Sequence, residues 1–395
     1  MGRPESAHRF RAPIASTAVS DPFCVMFQLR PFQTAALALS LVVPVASADT
    51  IHLVDGTKIE DVDVKAETLS VVEYDRSEVA SEKVLRVEFS ELPDVVGEAE
   101  LLAVDGDVAT AVLDLFYYVD SRTSDNGDRR HPWGPAYAAK RRIELLQRVN
   151  DLPGVVEAAD LLIGRVPDSR YVPGAYLDKA KALVLQGKDA EAAKTLGQLV
   201  ALAEEQALSP RYRLAAQVEQ AAIDPSIKAE ARIEALDSLA GAAGNEFPTV
   251  RDRAYVAQGE LYIQLADVNE SRLAELVGEA RYLFELAMKS EQGEDATRAG
   301  ALAGLGDCEF ATATRTGDAA GLTKARNEYL RVVVLYPDQA AYVARSMFYA
   351  GLCFRQLADV EQDDESRSRS RRLMRSVIRD FPGSRWAEEA ARYAR

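Results

Sequence analysis

Two stretches near the C-terminus decide the fold: L-G-D-C-E-F at residues 305–310 and A-G-L-C-F-R at residues 350–355. They lie 45 residues apart, and the same shift places the aromatic-proline pair at 336–337 on another at 381–382. Self-similarity at a period of about 20–50 residues is typical of proteins that reuse one supersecondary unit. The sequence therefore predicts a tandem repeat.

Each repeat is predicted to contain two helices. The first helix carries a small residue where a neighbour must approach closely, as Gly306 and Gly351 do, and a second shift of 47 adds Gly259 to this set and aligns Tyr282 with Tyr329. The second helix ends before proline, which cannot continue a helix. The same pattern, which starts at about residue 98, predicts earlier helices over 108–119, 133–149, 155–167, 176–185 and 190–202.

This pattern resembles tetratricopeptide repeats. The turn Gly187-Lys188-Asp189 is followed by alanines that open a second helix, and residues 375–390 (R-S-V-I-R-D-F-P-G-S-R-W-A-E-E-A) are similar to repeat ends of periplasmic proteins of the Tol-Pal coordinating and outer-membrane assembly type. The resemblance implies a mainly α fold, an α-solenoid of helix pairs over 93–395. The period of 45 to 47 exceeds the usual length of about 34, so we expect longer helices or connections.

A different pattern precedes the helices. Residues 49–92 alternate between apolar and polar positions, and Asp55-Gly56 is a hairpin signal because a tight turn of this kind needs positive φ. We expect a small β-unit of about four strands, either a separate domain or a cap on the open end of the solenoid. Residues 49–130 carry 21 acidic against 8 basic side chains, so this part is strongly acidic.

Composition and charge narrow the class of protein. The chain has 395 residues, of which 48% are hydrophobic and only 7% aromatic, and its net charge is −15. This composition favours helices packed through small residues over a sheet-rich core. Neither part of the chain has the basic surplus of a nucleic-acid binder, so we expect no nucleic-acid partner.

The first 48 residues have the features of an N-terminal extension with a secretory signal peptide. An apolar run over 34–43 follows Arg30 and precedes Ala46-Ser47-Ala48, which predicts cleavage between residues 48 and 49. Met26 is the better start for such a signal. No later run is long and apolar enough to anchor the mature chain in a membrane. We expect a soluble periplasmic or extracellular protein; the alternative is a cytosolic protein with an apolar N-terminal helix.

The sequence offers little catalytic chemistry. Its three histidines, His8, His52 and His131, are scattered, and no glycine cluster indicates a phosphate loop. Cys308 and Cys353 occupy equivalent repeat positions, and because stacked helices lie farther apart than a disulfide allows, we expect two buried thiols. We predict no cofactor, no metal and no enzyme, with an acid-based hydrolase as the alternative.

Two candidate binding surfaces follow from the solenoid. By analogy with the family, the exposed residues of the concave wall, counted from the small glycines, are Arg253, Glu260, Asp307, Phe310, Arg345, Phe348 and Arg355. Arg371, Arg375 and Arg379 recur at four-residue spacing and form a basic strip for an acidic partner or an anionic lipid surface. For both sets, structural packing or a solvated helix face is the alternative.

These observations together predict an exported, non-catalytic adaptor of the bacterial cell envelope. By analogy with the family, it would bind an envelope protein or a peptide in the concave groove. The alternative is a glycan- or peptidoglycan-associated binder in which the β-unit carries the ligand and the repeats act as a spacer. The β-unit supplies few aromatic rings for stacking on sugars, since it holds no Trp and only Tyr74 and Phe89.

Overall fold

A computed structural model describes residues 48–123 and 128–394. The strands are β1 Asp49–Leu53, β2 Lys58–Val62, β3 Val64–Glu67, β4 Val71–Tyr74, β5 Ser77–Ala80 and β6 Val84–Glu88. The helices of the first half are α1 Asp94–Asp105, α2 Val108–Arg122, α3 Gly134–Arg148, α4 Leu152–Arg165, α5 Val172–Leu185, α6 Asp189–Glu205, α7 Pro210–Ile223 and α8 Ala229–Ala243. Those of the second half are α9 Pro248–Val268, α10 Leu273–Lys289, α11 Asp295–Thr316, α12 Ala319–Leu335, α13 Ala340–Glu361, α14 Asp364–Asp380 and α15 Arg385–Ala391.

The β-unit contains six strands in the described residues, not four. They form two antiparallel sheets, in the orders β2-β1-β6 and β3-β4-β5, and the hairpin at Gly56 has the expected positive φ of 85°. Strands β2 and β3 are separated by Asp63 alone but belong to different sheets, which accounts for one of the two additional strands. The other is β5, which offers only Val79 and Ala80 as apolar residues. Asp61, with a φ of 58°, lies within β2 at an irregularity in its pairing with β1.

Consecutive helices pack on one another throughout the described chain, and they form seven pairs followed by α15. The mainly α solenoid preceded by a small β-unit is therefore confirmed. The helices expected between residues 108 and 202 are present as α2 to α6. Aspartates begin several of them, because a side-chain oxygen satisfies a backbone N–H that has no partner inside the helix, as at Asp107, Asp151, Asp318 and Asp363.

Close approach at glycine repeats along the second half of the chain. A Cβ on Gly306 would lie 2.8 Å from Cε1 of Tyr329, a ring of the second helix that is fully buried. Equivalent contacts join each first helix to the second helix of its pair: Gly259 with Phe284, Gly306 with Tyr329, and Gly351 with Met374. The absence of a side chain on the first helix thus creates the place that a large side chain fills.

These contacts correct the alignment between the pair α9–α10 and the pair α11–α12. Tyr282 was expected to match Tyr329, but its side chain is exposed, and Phe284 fills the corresponding place. The second helices therefore repeat at 45 residues even where the first helices are 47 apart, a difference taken up between them. Cys308 and Cys353 are both buried and free, as predicted, and burial raises the pKa of each thiol to about 12.

The β-unit packs on α3 and on the connection between α4 and α5. Trp133 is buried and stacks on Phe89 with 3.4 Å between ring centroids, so it packs into the fold. The buried Glu67 accepts hydrogen bonds from the Tyr171 hydroxyl at 2.8 and 3.0 Å and pairs with Arg170. Burial raises the pKa of Glu67, and these two partners oppose that rise only in part.

The last helix returns to the first half of the solenoid and closes it into a ring. Asn150, just after α3, donates from Nδ2 to the Asp380 carbonyl at 3.1 Å. Arg385 pairs with Asp189 at the start of α6. Trp386 packs against the apolar clusters of both ends of the solenoid. Residues about 200 positions apart are therefore neighbours.

Within the described ranges, no helix has the length and apolar character needed to cross a membrane.

The glycine contacts make a direct prediction about stability. Gly306→Ala should destabilise the protein by about 1–3 kcal/mol, because the added methyl group meets the buried Tyr329 ring. Gly278→Ala is the matched control: it lies inside α10 with no atom within 4 Å of its Cβ position, and the change should stabilise by up to about 1 kcal/mol. Urea unfolding measures both, and equal effects at the two sites would contradict the close-approach interpretation.

Candidate functional site: a chamber at the centre of the ring

Residues of eight helices line one chamber of about 570 Å³. Five of these are the first helices of consecutive pairs, α5, α7, α9, α11 and α13, and α15 adds Arg385 and Trp386. The second helices α6 and α8 contribute Asp189, Leu196 and Arg232. The chamber has the size of a small-molecule or short-peptide site, since such sites range over about 300–1,000 Å³. Four aromatic side chains line it, together with charged groups of both signs: Phe310, Tyr342, Tyr349 and Trp386.

Arg345 of α13 joins three of the inner helices. Its Nη1 donates to Glu260 Oε1 of α9 at 2.7 Å, and its Nη2 donates to Asp307 Oδ2 of α11. Asp307 also accepts a hydrogen bond of 2.7 Å from the hydroxyl of Tyr329, which reaches the wall from α12. One guanidinium therefore satisfies two carboxylates that belong to different repeats.

Arg253 of α9 makes the equivalent contact two repeats earlier in the ring. Its Nε and Nη2 donate to the two oxygens of Glu219 on α7, at 2.8 and 2.9 Å, in the bidentate geometry that is strongest for such pairs. Both side chains are only 21% exposed. Arg253 and Arg345 occupy corresponding positions two repeats apart, so the same residue type performs the same contact in both places.

The two arginine sites affect their carboxylates differently. Burial alone would raise the pKa of Glu219, but the charge and hydrogen bonds of Arg253 hold it below its usual value. At Asp307, burial raises the pKa, and Arg345 and the Tyr329 hydroxyl offset only part of the effect. Burial also raises the pKa of Tyr342 to about 12, so its phenol stays protonated near neutral pH.

The expected groove residues divide into two groups. Glu260, Asp307, Phe310 and Arg345 line the chamber, and Arg253 is joined to the same wall through its ion pairs with Glu219 and Glu260. The structure brings these five together, although the wall belongs to a closed ring and not to an open groove.

The other two groove residues, Phe348 and Arg355, lie outside the chamber lining. Phe348 was expected to be exposed, but it is only 5% exposed and lies on the side of α13 that faces α14 and α15, with its ring 5.6 Å from that of Trp386. Arg355 is exposed and places its guanidinium over the Tyr393 ring at 5.0 Å.

The burial of Asp307 also differs from the expectation. It borders the chamber, but it is only 4% exposed.

The basic strip lies on α14, away from the chamber lining. Arg379 is exposed and forms two hydrogen bonds with Asp380, which neutralises much of its charge. Arg375 donates from Nε to the Ala394 carbonyl at 3.3 Å, and Arg371 is half-buried. Binding of an acidic partner there stays a prediction.

Several lining residues were not found from the sequence. Tyr342 and Tyr349 lie three residues before and four after Arg345, so helical spacing from that arginine was the available signal. Asp189 and Arg385 gave no such signal, because their contact depends on ring closure. In the part of the chain that the structure describes, no group of three or more His, Cys, Asp or Glu side chains is arranged to hold a metal ion.

Comparison with known proteins adds little to this description. No protein-family model matches the chain, and no curated protein matches it. Among solved structures, the chain is similar to a protein described as a circular tandem repeat protein with novel repeat topology and enhanced subunit contact surfaces, at 16% sequence identity. That match covers 76% of this chain and 78% of the other, with a TM-score of 0.20, too low to support any argument about this protein.

The pairing of Glu219 predicts a pH-dependent contribution to stability. A folded-state pKa below the unfolded value gives stability that is complete above the unfolded pKa, about 4.3, and is lost as the pH falls through the folded value. Glu219→Gln should therefore lower the free energy of unfolding by about 2–3 kcal/mol near pH 7, which is less than the roughly 3–5 kcal/mol expected for a fully buried ion pair. The difference in free energy of unfolding between the variant and wild type should become smaller as the pH falls.

Urea unfolding at a series of pH values between about 3 and 7 measures this difference. The control is Glu285→Gln on α10, an exposed carboxylate 3.7 Å from Lys289, which should change stability little at any pH. A cost for Glu219→Gln that does not vary with pH would show that its charge makes no contribution.

Proposed function

We propose that this protein is a non-catalytic adaptor of the bacterial cell envelope, and that it holds a segment of a partner protein in the chamber of the ring. A repeat-protein fold supports a scaffold or binding role. The observation that carries the proposal is the convergence of eight helices on one chamber, where ion pairs hold the charged wall in place before any ligand arrives. Preorganisation of this kind lowers the entropic cost of binding.

The chemistry of the chamber suits a peptide segment. Phe310 and Tyr349 pack edge to face, 5.5 Å apart, and both border the cavity, where aromatic side chains contribute most to protein recognition. Lys181 of α5 is an exposed cation on the same wall. Since the acids around Arg345 and Arg253 are already paired, the groups available to a ligand include the aromatic faces, Lys181 and Asp267, which is 61% exposed. The ion pairs act as positioning groups.

Export is part of the proposal, and the predicted cleavage position is compatible with the described β-unit. The proposed signal peptide lies outside the described residues except for Ala48, and strand β1 starts at the next residue, Asp49. The Asp49 carboxylate is buried and accepts hydrogen bonds from the backbone N–H of Val64 at 3.0 Å and of Ser90 at 2.8 Å. Cleavage after Ala48 would therefore leave the β-unit intact.

The alternative of a glycan-binding β-unit gains no support from the geometry. Phe89 stacks on Trp133 inside the fold, and Tyr74 packs with the apolar cluster of the β-unit. In the described part of the β-unit, the aromatic rings that a sugar would need are engaged in packing.

A site-specific photocrosslinker in the cells that produce the protein tests the proposal. The crosslinking residue replaces Phe310, inside the chamber, or Tyr282, which is 59% exposed on α10. We expect a protein adduct from position 310 and none from position 282, recovered from the periplasmic fraction. Intact mass of the unreacted protein should correspond to a chain that starts at Asp49.

The outcomes separate the two parts of the proposal. Adducts from both positions in equal amount, or from neither, would contradict binding in the chamber. A chain that retains residues 1–48 in the cytosolic fraction would contradict export while leaving the chamber assignment to stand on the adduct at position 310.

A further inference from the structure

The C-terminal segment 380–394 makes two contacts with the opposite end of the ring that fix its place. Arg385 pairs with Asp189, which lies 196 residues earlier, and the Asp380 carbonyl accepts a hydrogen bond from Asn150. Gly187 lies beside the side chain of Arg385, and a Cβ added at Gly187 would be 3.8 Å from Arg385 Cβ. We call the surface that receives this segment, formed by Asn150, Gly187 and Asp189 with the apolar residues beside them, the seat.

Trp386 connects the seat to the chamber. Its ring packs against the apolar cluster that contains Leu185 and against the cluster of the C-terminal helices, and it lies 5.8 Å from the ring of Tyr349. Because Trp386 and Arg385 also line the chamber, the segment that closes the ring covers part of the wall that a ligand would contact.

The contacts that join this segment to the seat are few, whereas its other contacts lie within its own end of the solenoid. Helix α15 has seven residues, and the connection 381–384 contains Gly383 at a positive φ of 75°. The ion pair between Arg385 and Asp189 is about one third exposed on both sides, so solvent screens it. By contrast, the segment is held to α13 and α14 by buried apolar contacts, among them Trp386 with Phe348 at 5.6 Å and the fully buried Ala390. The contacts across the closure therefore open more readily than those that hold α15 to its own end of the solenoid.

The N-terminus of α15 presents its recognition residues in a defined geometry. Ser384 is fully buried, and its Oγ accepts a hydrogen bond of 3.1 Å from the backbone N–H of Ala387, which starts the helix. Arg385 and Trp386 follow directly, so a charged group and a large apolar ring leave the first turn side by side and meet an aspartate and an apolar slot on the seat.

We propose that residues 380–394 form a reversible clasp, and that the seat is an interaction site for a helix N-terminus in which arginine is followed by tryptophan. A partner segment of this chemistry would displace α15 and open the chamber. The effect on ligand access rests on the proposed function of the chamber, whereas the clasp and the seat depend only on the contacts described above.

Charge reversal tests the clasp in the full-length protein without a ligand. Asp189→Arg and Arg385→Asp each replace attraction with repulsion, and we expect amide hydrogen exchange in residues 385–391 to become about three- to ten-fold faster in either variant. The double variant restores an ion pair in the reverse order and should return exchange to the wild-type rate. Exchange in α9 to α12 should not change.

Two results would overturn the clasp. Unchanged exchange in residues 385–391 would show that the ion pair does not hold the segment, and equally faster exchange in all helices would show that release amounts to unfolding of the ring.

A labelled peptide of residues 380–395 tests the seat as an interaction site. The Arg385→Asp protein, whose own segment is loosened, should bind the wild-type peptide in a fluorescence anisotropy titration, because Asp189 is still present. The wild-type protein should bind it at least about ten-fold more weakly, since its seat is occupied. A control peptide with Glu and Ala at the positions of Arg385 and Trp386 should not bind.

Equal binding of both peptides, or no binding to the Arg385→Asp protein, would overturn the assignment of the seat. Neither experiment depends on a chamber ligand, so failure of the proposed function and failure of this inference give different results.

Discussion

The guanidinium of Arg345 lies between carboxylates on two other helices, and the curvature of the ring depends on that arrangement. A charge removed from water is costly unless an opposite charge and hydrogen bonds replace the solvent. Asp307 and Glu260 find both in Arg345, but only if α9, α11 and α13 turn their inner faces toward one point. Arg253 and Glu219 impose the same condition between α7 and α9. The wall therefore stays curved because straightening it would separate buried charges.

Glycine residues on the first helices also make the curvature possible, because they let the second helices approach closely. At Gly259, Gly306 and Gly351 the second helix approaches so closely that its large side chain occupies the place of a Cβ. Helix length adds to the effect, because α11 and α13 have 22 residues each, whereas α5 and α7 have 14. The longer helices account for a repeat period above the usual tetratricopeptide length. They also explain why the repeat is clearest in the second half of the sequence.

Local features of the structure could be predicted from the sequence, because each depends on neighbouring residues. The helix ends at aromatic-proline pairs, the turn at Gly56 and the burial of Cys308 and Cys353 all follow from conformational preferences or from the repeat itself. The division of the β-unit into two sheets could not be predicted, since β2 and β3 belong to different sheets although only Asp63 separates them, and no glycine or proline marks that point. Phe348 was misplaced because family spacing gives the face of a helix only to within about one residue.

Ring closure could not be predicted from the sequence for a different reason. A repeat pattern specifies how each unit contacts the next, but the contact between Arg385 and Asp189 depends on the sum of all the turns between them. The chamber depends on all of these turns together. Residues of α5 and α15 both line it, but no sequence pattern links the two helices. The inner positions of α9, α11 and α13 could be inferred because one repeat predicts the next.

The role of the Arg345 ion pairs in the curvature is tested most directly by small-angle X-ray scattering on a variant in which Arg345 and its two carboxylate partners are neutralised. Arg345→Met, Glu260→Gln and Asp307→Asn are combined, so that no buried charge is left without a partner and Tyr329 keeps an acceptor. The control is Arg331→Met, an exposed arginine paired with Glu328 on the same helix. The account predicts unchanged helix content by circular dichroism, a larger radius of gyration for the triple variant and no change for the control. A triple variant with the helix content and the radius of gyration of wild type would contradict it.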